Sequence, residues 1–478
     1  MLDVPRAAEA DVYDEFFDGA TTPRPPYARL AETLRSLAPS ELVGGVRAIN
    51  AALLRRGVTF TVYAEAAGTE RIFPFDPIPR IFTAAQWRRL ADGVAQRVRA
   101  LNAFIRDVYH EGRILRDGRV PRETVYSSSL YVREMIGVSV PHDVYIHVSG
   151  IDVIFDDAGH PMVLEDNVRT PSGISYVLEN RDVLKRTFPR LFEGYRVRPV
   201  DDYPLRLLHA LQDAAPPRVE RPHIIVLTPG VYNSAYYEHA MLARQMGVPL
   251  VEGRDLVVVD NAVYLKTTRG LERVDVIYRR IDDDFLDPLY FRADSILGVP
   301  GLMDAYRGGN VTLANAIGTG VADDKAMYRF VPAMIRYYLS EDPLLDNVET
   351  LDCTDERARR HVTAQLERFV VKRTNGSGGY GMLIGPASTA AEREEFARMI
   401  EADPRSYIAQ PVVQLSSHPT LVERDLLPRR IDLRPFVLYG RTVDVPPAAL
   451  TRVALREGSL VVNSSQGGGS KDTWVLDG

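Results

Sequence analysis

Carboxylate and amide side chains lie close together in the segment Gly150–Gly173, GIDVIFDDAGHPMVLEDNVRTPSG. Two apolar runs, at 151–155 and 162–168, flank residues 156–160, which are of the types that form turns. This pattern predicts a β-hairpin, in which side chains alternate between the two faces of each strand. The chemistry of the segment therefore depends on which side chains share a face.

Glu165 and Asn167 are two positions apart and should project from the same face of the second strand. Folding of the hairpin would bring Asp152 within about one register position of Glu165. Two carboxylates and an amide oxygen are the hard ligands that Mg²⁺ prefers, and Arg169 follows beside them. The alternative is a surface hairpin whose charges are solvated.

A glycine-rich loop follows an apolar strand in the segment 369–385, FVVKRTNGSGGYGMLIG, and Lys372 lies on that strand. Glycines let backbone amides approach phosphate oxygens, and the lysine adds a positive charge. The segment is neither a dinucleotide fingerprint nor a Walker loop, because another strand follows it and no Gly-Lys-Ser/Thr closes it. The alternative is a flexible hairpin. The candidate loop residues are Gly376, Ser377, Gly378, Gly379 and Gly381.

A second lysine lies in the segment 322–339, ADDKAMYRFVPAMIRYYL, which the sequence predicts to be one helix starting near Asp323. Lys325 would stand in its first turn, where the helix dipole disfavours a cation. A bound anion would remove that difficulty, and an ordinary surface lysine is the alternative.

Arg279 and Arg280 follow a predicted strand at 274–278 and precede the acidic run 282–284. Their position at a strand end makes them candidates for holding a substrate carboxylate by paired hydrogen bonds. The alternative is a charged face that is solvated. A further glycine-rich loop at Gly467–Gly469 is either a flexible turn or a second loop facing phosphate.

The composition excludes several classes of protein. The chain has 478 residues, enough for about three domains, and its net charge of −6 gives no reason to expect nucleic acid as a partner. The single cysteine, Cys353, excludes an intrachain disulfide and a multi-cysteine zinc site. No apolar run reaches the ~18 residues that cross a bilayer, and the N-terminal residues lack an apolar signal core. We therefore expect a cytoplasmic protein with no membrane partner.

Helical periodicity covers most of the N-terminal third, in segments 27–38, 39–56 and 83–113, with a proline-rich interruption at 73–79. From His223 the pattern changes to alternating strands and helices, which indicates an open α/β sheet. Ligands of such sheets usually lie beyond the carboxyl ends of the strands.

Together the motifs resemble the ATP-grasp enzymes, in which two lysines and a glycine-rich loop precede an adenine-contacting linker, an arginine strand and an Asp…Glu-x-Asn magnesium hairpin. Here the hairpin stands first and the other parts follow in the usual order. The order resembles that of a circularly permuted ATP-grasp protein, similar to the ligase part of glutathionylspermidine synthetase, from roughly Tyr145 to the C-terminus. The matching residues are Asp152, Glu165, Asn167, Lys325, Lys372, Gln410 and Arg434.

The resemblance implies an α/β and α+β protein with a circularly permuted ATP-grasp fold, a Rossmann-like α/β domain and a mainly helical N-terminal region. The implied parts are the helical region 1–144, the hairpin segment 145–215, the α/β domain 216–310 and the ATP-grasp lobes 311–478.

The resemblance also implies a carboxylate–amine ligase that uses ATP and Mg²⁺ and forms an amide through an acyl phosphate. Its partners would be a small-molecule or peptide carboxylate and an amine acceptor. A nucleotide-binding scaffold and a small-molecule kinase are the alternatives, and the oligomeric state, including a homo-oligomer, stays open. The implied roles are Lys325, Lys372 and the glycine loop on the phosphates, Gln410 and Val412 near adenine, Asp152, Glu165 and Asn167 on magnesium, Arg434 and Arg169 in catalysis, and Arg279 and Arg280 on substrate.

Overall fold

The computed structural model of this chain describes residues 12–19, 22–62, 69–217, 219–376, 381–462 and 468–478. Its helices cluster in the N-terminal third and around a parallel sheet in the middle of the chain. The α-helices are α1 (Ala28–Ser36), α2 (Pro39–Arg55), α3 (Ala84–Tyr109), α4 (Arg113–Arg116), α5 (Arg122–Tyr126), α6 (Ile174–Thr187), α7 (Pro189–Phe192), α8 (Tyr203–Asp213), α9 (Tyr236–Met246), α10 (Leu302–Arg307), α11 (Gly320–Asp323), α12 (Lys325–Tyr328), α13 (Val331–Met334), α14 (Glu356–Ala364) and α15 (Ala390–Ala402).

The strands form one large mixed sheet, one parallel sheet and several antiparallel ones. The strands are β1 (Phe17–Asp18), β2 (Thr22–Pro23), β3 (Thr59–Val62), β4 (Thr69–Ile72), β5 (Phe75–Phe82), β6 (Val148–Phe155), β7 (Pro161–Asn167), β8 (Ile224–Leu227), β9 (Leu250–Val251), β10 (Leu256–Val259), β11 (Ala262–Thr267), β12 (Gly270–Arg273), β13 (Val276–Arg279), β14 (Thr312–Ala314), β15 (Asp346–Asn347), β16 (Leu351–Asp352), β17 (Phe369–Arg373), β18 (Leu383–Ile384), β19 (Tyr407–Pro411), β20 (Ser417–Val422), β21 (Asp425–Tyr439), β22 (Val443–Asp444), β23 (Ala449–Val453) and β24 (Gly469–Val475).

The large sheet has the order β15-β7-β6-β21-β23-β24-β5, with β20 and β22 also paired to β21. The predicted hairpin is its β6–β7 pair, and β6 lies antiparallel to β21 with Leu433 opposite Val153 and Phe436 opposite Gly150. The hairpin therefore docks directly beside the strand that carries Arg434, although the two segments lie far apart in the sequence.

The N-terminal helices begin and end close to the predicted positions, and α3 starts with a capping box between Thr83 and Gln86. One face of α3 is buried in the main core, including Trp87 and Leu101. The proline-rich interruption, by contrast, forms the strand β5, which pairs in parallel with β24 at the edge of the large sheet. Prolines are tolerated at a sheet edge because no ladder partner requires their missing amide hydrogen.

The middle of the chain contains the predicted open α/β sheet, whose four strands are parallel in the order β14-β13-β8-β9. The carboxyl ends of β8 and β13 are adjacent, because Leu227 lies opposite Arg279. The neighbouring β10–β11 hairpin turns at Asp260 and Asn261, both of which have positive φ, as a tight two-residue turn requires.

The prediction of one continuous helix at 322–339 is wrong. The segment forms the short helices α11, α12 and α13, followed by a π-helical turn at Ile335–Leu339. Asp324 has an extended backbone conformation between α11 and α12, and its side chain accepts a hydrogen bond from the amide of Ala326 at 2.9 Å. An aspartate that caps the following turn stabilises a new helix start, so α12 begins at Lys325.

A smaller antiparallel sheet, in the order β16-β19-β17-β18, carries Lys372 and has its own core around Cys353, Phe369 and Tyr407. The helix α15 starts with a capping box of Thr389 and Glu392. This lobe presents Lys372 to the rest of the molecule.

Candidate active site

A cavity of about 660 Å³ is lined by the hairpin, the smaller antiparallel sheet, strands β21 and β23, and the end of the parallel sheet. It brings together candidate residues from six separate stretches of the chain. The predicted residues that line it are Asp152, Glu165, Asn167, Arg169, Arg280, Lys325, Lys372, Gly376, Gln410, Val412 and Arg434.

The hairpin has the predicted register, since Asp152 lies opposite Glu165 and Gly150 lies opposite Asn167. An irregularity after Asp152 shifts the pairing, and Leu164 lines the cavity together with Glu165. A bulge of this kind places two consecutive side chains toward one side, which simple alternation does not predict.

Asp166 belongs to the opposite face of the hairpin, where its carboxylate accepts hydrogen bonds from Nε and Nη2 of Arg97 at 2.6 and 2.7 Å. Both side chains are buried. Of the two adjacent acidic residues, Glu165 therefore faces the cavity and Asp166 ties the hairpin to helix α3.

Lys325 connects the hairpin to the glycine-rich loop. Its Nζ lies 2.7 Å from Oε1 of Glu165 and donates a hydrogen bond to the carbonyl oxygen of Gly376 at 2.6 Å. Lys372 lines the same cavity, and burial lowers its pKa to about 8 although the charge of Glu165 acts in the opposite direction. Two ammonium groups therefore face one acidic side chain.

Arg434 forms a paired ion contact with Asp152, with Nε and Nη2 at 2.5 and 2.9 Å from the two carboxylate oxygens. Arg452 on β23 also donates to Asp152, at 2.8 Å, and pairs with Asp432. Burial alone would raise the pKa of Asp152, but the two guanidinium groups hold that pKa below its usual range. Asp152 thus fixes two arginines at the cavity wall.

One end of the cavity is apolar, and its side chains form a separate small core. Beside it, Gln410 donates from Nε2 to Thr350 at 3.0 Å, while its buried Oε1 has no partner in the described part of the chain. The amide nitrogen of Val412 donates to the carbonyl of Arg368 at 3.1 Å, so that amide is already engaged. The apolar members are Ile154, Leu164, Val348, Leu415 and Val462.

The two predicted substrate arginines have different surroundings. Arg279 does not line the cavity, and its buried guanidinium donates to the carbonyls of Asn315, Ile281 and Ala316 and lies 2.6 Å from Asp283. Arg279 therefore stabilises the end of the parallel sheet and lies outside the cavity lining.

Arg280 does line the cavity, but its terminal nitrogens donate to the carbonyl of Pro171, to Tyr278 and to Glu238. Arg169 also lines the cavity, where its Nε donates to Asp323 at 2.7 Å. Both guanidinium groups are thus held by protein partners.

The glycine-rich loop is described at its two ends. Gly381 has a φ of +67°, which a glycine adopts without strain, and Gly376 contacts Lys325 as above. Ser377, Gly378 and Gly379 lie outside the described residues, as does Gly467. Beyond that second loop, Lys471 is buried and bonded to Asp76, so it does not reach the cavity.

A known protein family matches most of this chain. The sequence profile of the family described as circularly permuted ATP-grasp type 2 matches residues 79–454, which is more than three quarters of the chain. The chain belongs to this family. Family membership, together with the relatives named below, supports an ATP-dependent ligase.

Relatives of similar length share about half of their residues with this chain. An uncharacterized protein of Synechocystis is 54% identical over 467 residues, covering 98% of this chain and 97% of the relative. An uncharacterized protein of Mycobacterium tuberculosis is 53% identical over 468 residues, covering 98% and 84%. A Frankia alni protein named provisionally as a glutamate–cysteine ligase is 45% identical, covering 97% of this chain and 54% of the relative.

A solved structure has the same fold at low sequence identity. A glutathione synthetase-like effector from Globodera pallida aligns with a TM-score of 0.61 and 12% identity, over 92% of this chain and 98% of that one. The ATP-grasp fold that the motifs predicted is confirmed by this alignment and by the family match.

Two features of this ATP-grasp site were missed by sequence reasoning. Arg452 was not predicted, although a buried strand that carries an arginine signals a carboxylate partner nearby. The second feature is the serine run 127–129. Ser127 accepts from Arg405 at 2.8 Å, Ser128 donates to Asp324 at 2.6 Å, and Ser129 accepts from Asn375, which lines the cavity, at 3.3 Å.

None of the described helices combines the length and apolar character needed to cross a bilayer. Within the same residues, no three His, Cys, Asp or Glu side chains are grouped so as to hold a metal ion.

Proposed function

We propose that the protein is a carboxylate–amine ligase that forms an amide through an acyl phosphate and releases ADP and phosphate. The observation that carries this proposal is the contact between Lys325 and Glu165 at the cavity that Lys372 and Arg434 also line. The resemblance of the motifs implies that these groups occupy the phosphate-binding, metal-binding and arginine positions of the family.

The apolar end of the cavity suits the adenine ring. The buried, unpartnered Oε1 of Gln410 is an acceptor that an adenine amino group could satisfy. The triphosphate would then extend toward Lys325 and Lys372, where two ammonium groups supply the positive charge that phosphate oxygens need. Entry of the phosphates would draw Lys325 away from Glu165 and release that carboxylate.

The same carboxylate and Asn167 suit a hard cation. Glu165 is partly exposed in the cavity, and the buried side-chain amide of Asn167 has an unpartnered nitrogen among the described residues, with its O and N atoms interchangeable by a flip. Glu165 and Asn167 would hold Mg²⁺, which supplies charge neutralisation at the phosphates. Asp152 fits less well, because Arg434 and Arg452 already occupy its oxygens.

The proposed reaction has two steps, a phosphoryl transfer and an amide-bond formation. An oxygen of the substrate carboxylate attacks the γ-phosphorus, the bond from that phosphorus to ADP breaks, and an acyl phosphate forms. An amine nitrogen then attacks the acyl carbon, the carbon–oxygen bond to phosphate breaks, and the amine loses a proton. Arg434, held in place by Asp152, would stabilise the charge on the transferring phosphoryl group.

The substrates themselves are not carried over from relatives. The name of the Frankia alni protein gives glutamate and cysteine, but this chain spans about half of that protein. The cytoplasmic location likewise stays a prediction.

The test is a phosphate-release assay with paired panels of carboxylates and amines. Release that requires both members of a pair, together with amide detected by mass spectrometry, would support the ligase. Transfer of ¹⁸O from the labelled carboxylate to phosphate would identify the acyl phosphate. A phosphorylated product without amide would instead indicate the kinase, and ATP binding without any turnover would indicate the scaffold.

A further inference from the structure

A second part of the cavity, here called the substrate end, lies where two parallel strands finish. Residues that follow β8 and residues that follow β13 line it, and these two strands are neighbours in the parallel sheet. Ligands of open α/β sheets bind at this edge. The lining residues that matter are Asn233, Ser234, His239, Arg280 and Asp282.

His239 offers a hydrogen-bond donor to the substrate end. The side chain is only 2% exposed, and its Nδ1 lies 2.9 Å from Oγ1 of Thr228. In one of the two ring tautomers, that hydroxyl, which also accepts from the amide of Gly230 at 3.2 Å, donates its own hydrogen to Nδ1. The ring proton then resides on Nε2, which has no protein partner in the described part of the chain.

The imidazole stays neutral in this position. Burial, and after it the charge of Arg280, hold the pKa of His239 well below its usual value. Arg280 is itself balanced by Glu238, whose other oxygen accepts from Gly173 and Ser175 at the start of α6. In the tautomer with the proton on Nε2, the donor on His239 therefore does not depend on protonation of the ring near neutral pH.

The acidic run 282–284 supplies the complementary group, because its three members have different roles. Asp283 is held by Arg279 and accepts from the amide of Gly318 at 2.9 Å. Asp284 is exposed and does not line the cavity. Asp282 does line it, does not cap its own turn, and has no hydrogen bond or ion pair to its carboxylate within the described residues. A carboxylate without a hydrogen bond or ion pair in the described residues therefore faces the substrate end, and the charge of Arg169, itself paired with Asp323, also acts on it.

We infer that the substrate end binds the amine acceptor, and that this acceptor is an amino acid or the like end of a short peptide. Its ammonium would contact Asp282, and its own carboxylate or carbonyl oxygen would accept from Nε2 of His239. The inference rests on the proposed function and deepens it, since a simple polyamine has no oxygen for His239. The acidic run, which composition alone marks as a solvated face, thus has one member in the site.

The test is direct binding by ligand-observed NMR to the full chain loaded with ADP. The probes are the protein amino acids and their amides, with ethylamine and spermidine as amines that lack an oxygen. At least one amino acid should bind, and both Asp282→Asn and His239→Ala should weaken it by about tenfold, the loss expected for one hydrogen bond to a charged group. His239→Gln should restore most of the affinity, because its amide can donate from nearly the same place.

Asp284→Asn is the matched control, since it removes the same charge two residues away and outside the cavity. Its affinity for the probe should equal that of the unaltered protein, and every variant should keep its ATP-induced thermal shift. Three results would overturn the inference: no amino acid or amide binds, ethylamine binds as tightly as the amino acid, or Asp284→Asn weakens binding as much as Asp282→Asn does. Binding that depends on Asp282 in a protein without ligase turnover would leave this inference standing and remove the proposed function.

Discussion

Glu165 on the hairpin and Lys325 at the start of α12 are in direct contact, with Oε1 and Nζ 2.7 Å apart. The same ammonium also donates to the carbonyl of Gly376, so one side chain connects the hairpin, a helix start and the glycine-rich loop. Because phosphate would compete for this ammonium, the contact marks the place where nucleotide binding must rearrange the site.

Glu165 and Asp166 should separate function from stability. Glu165→Gln keeps the size of a partly exposed side chain, so we expect little change in melting temperature and a loss of turnover of about 100-fold or more, because the charge beside the phosphates is gone. Asp166→Asn leaves Arg97 buried without its partner and should lower the free energy of unfolding by about 3 kcal/mol. Thermal denaturation and steady-state kinetics of both variants check this, and an unchanged kcat for Glu165→Gln would make the hairpin structural.

Lys372 should give ATP binding a characteristic pH dependence. Its pKa is lowered to about 8, so the ammonium is present below that pH and is lost above it in the free protein. Anionic phosphates favour the charged form, and the ATP affinity should therefore fall above about pH 8 by up to tenfold per pH unit. Calorimetric titration from pH 7 to 9.5 measures this. Lys372→Arg stays charged throughout and should lack the decline; the same decline in that variant would assign it to another group.

Asp152 should be required for stability as well as for activity. It balances Arg434 and Arg452, and all three side chains are largely buried. Asp152→Asn should lower the free energy of unfolding by about 3 kcal/mol, since a buried ion pair loses one member. Urea denaturation of this variant is compared with Asp157→Asn, in the exposed turn of the same hairpin, which should be neutral. Equal stability of the two variants would contradict the assigned role.

Ser128 should affect nucleotide binding without contacting nucleotide. Its hydroxyl donates to Asp324 at 2.6 Å, and Asp324 caps the turn that presents Lys325. Ser128→Ala should raise the KM for ATP by about tenfold with a smaller change in kcat, because the lysine is less well positioned. Ser128→Thr should recover most of the loss, and Ser36→Ala, an exposed serine on α1, serves as the control. A purely thermal effect with unchanged KM would leave Ser128 a structural residue only.

Local sequence patterns predicted several secondary-structure elements of this protein. The alternation of side chains predicted the hairpin and its register, and helical periodicity predicted the helices α1, α2 and α3, because these features depend on neighbours within a few residues. The order of the motifs predicted a permuted ATP-grasp fold, and the pairing of β6 with β21 explains how a hairpin from the front of the chain completes the site.

Contacts between distant segments were decided by the tertiary structure alone. Arg279 and Arg280 are adjacent in sequence, yet Arg279 is buried against backbone carbonyls of the parallel sheet, whereas Arg280 lines the cavity. The bulge beside Leu164, the helix break at Asp324 and the second arginine on Asp152 likewise follow from which strands become neighbours. A sequence pattern of short range carries no information on that choice, because sheet order is set by the burial of whole faces at once.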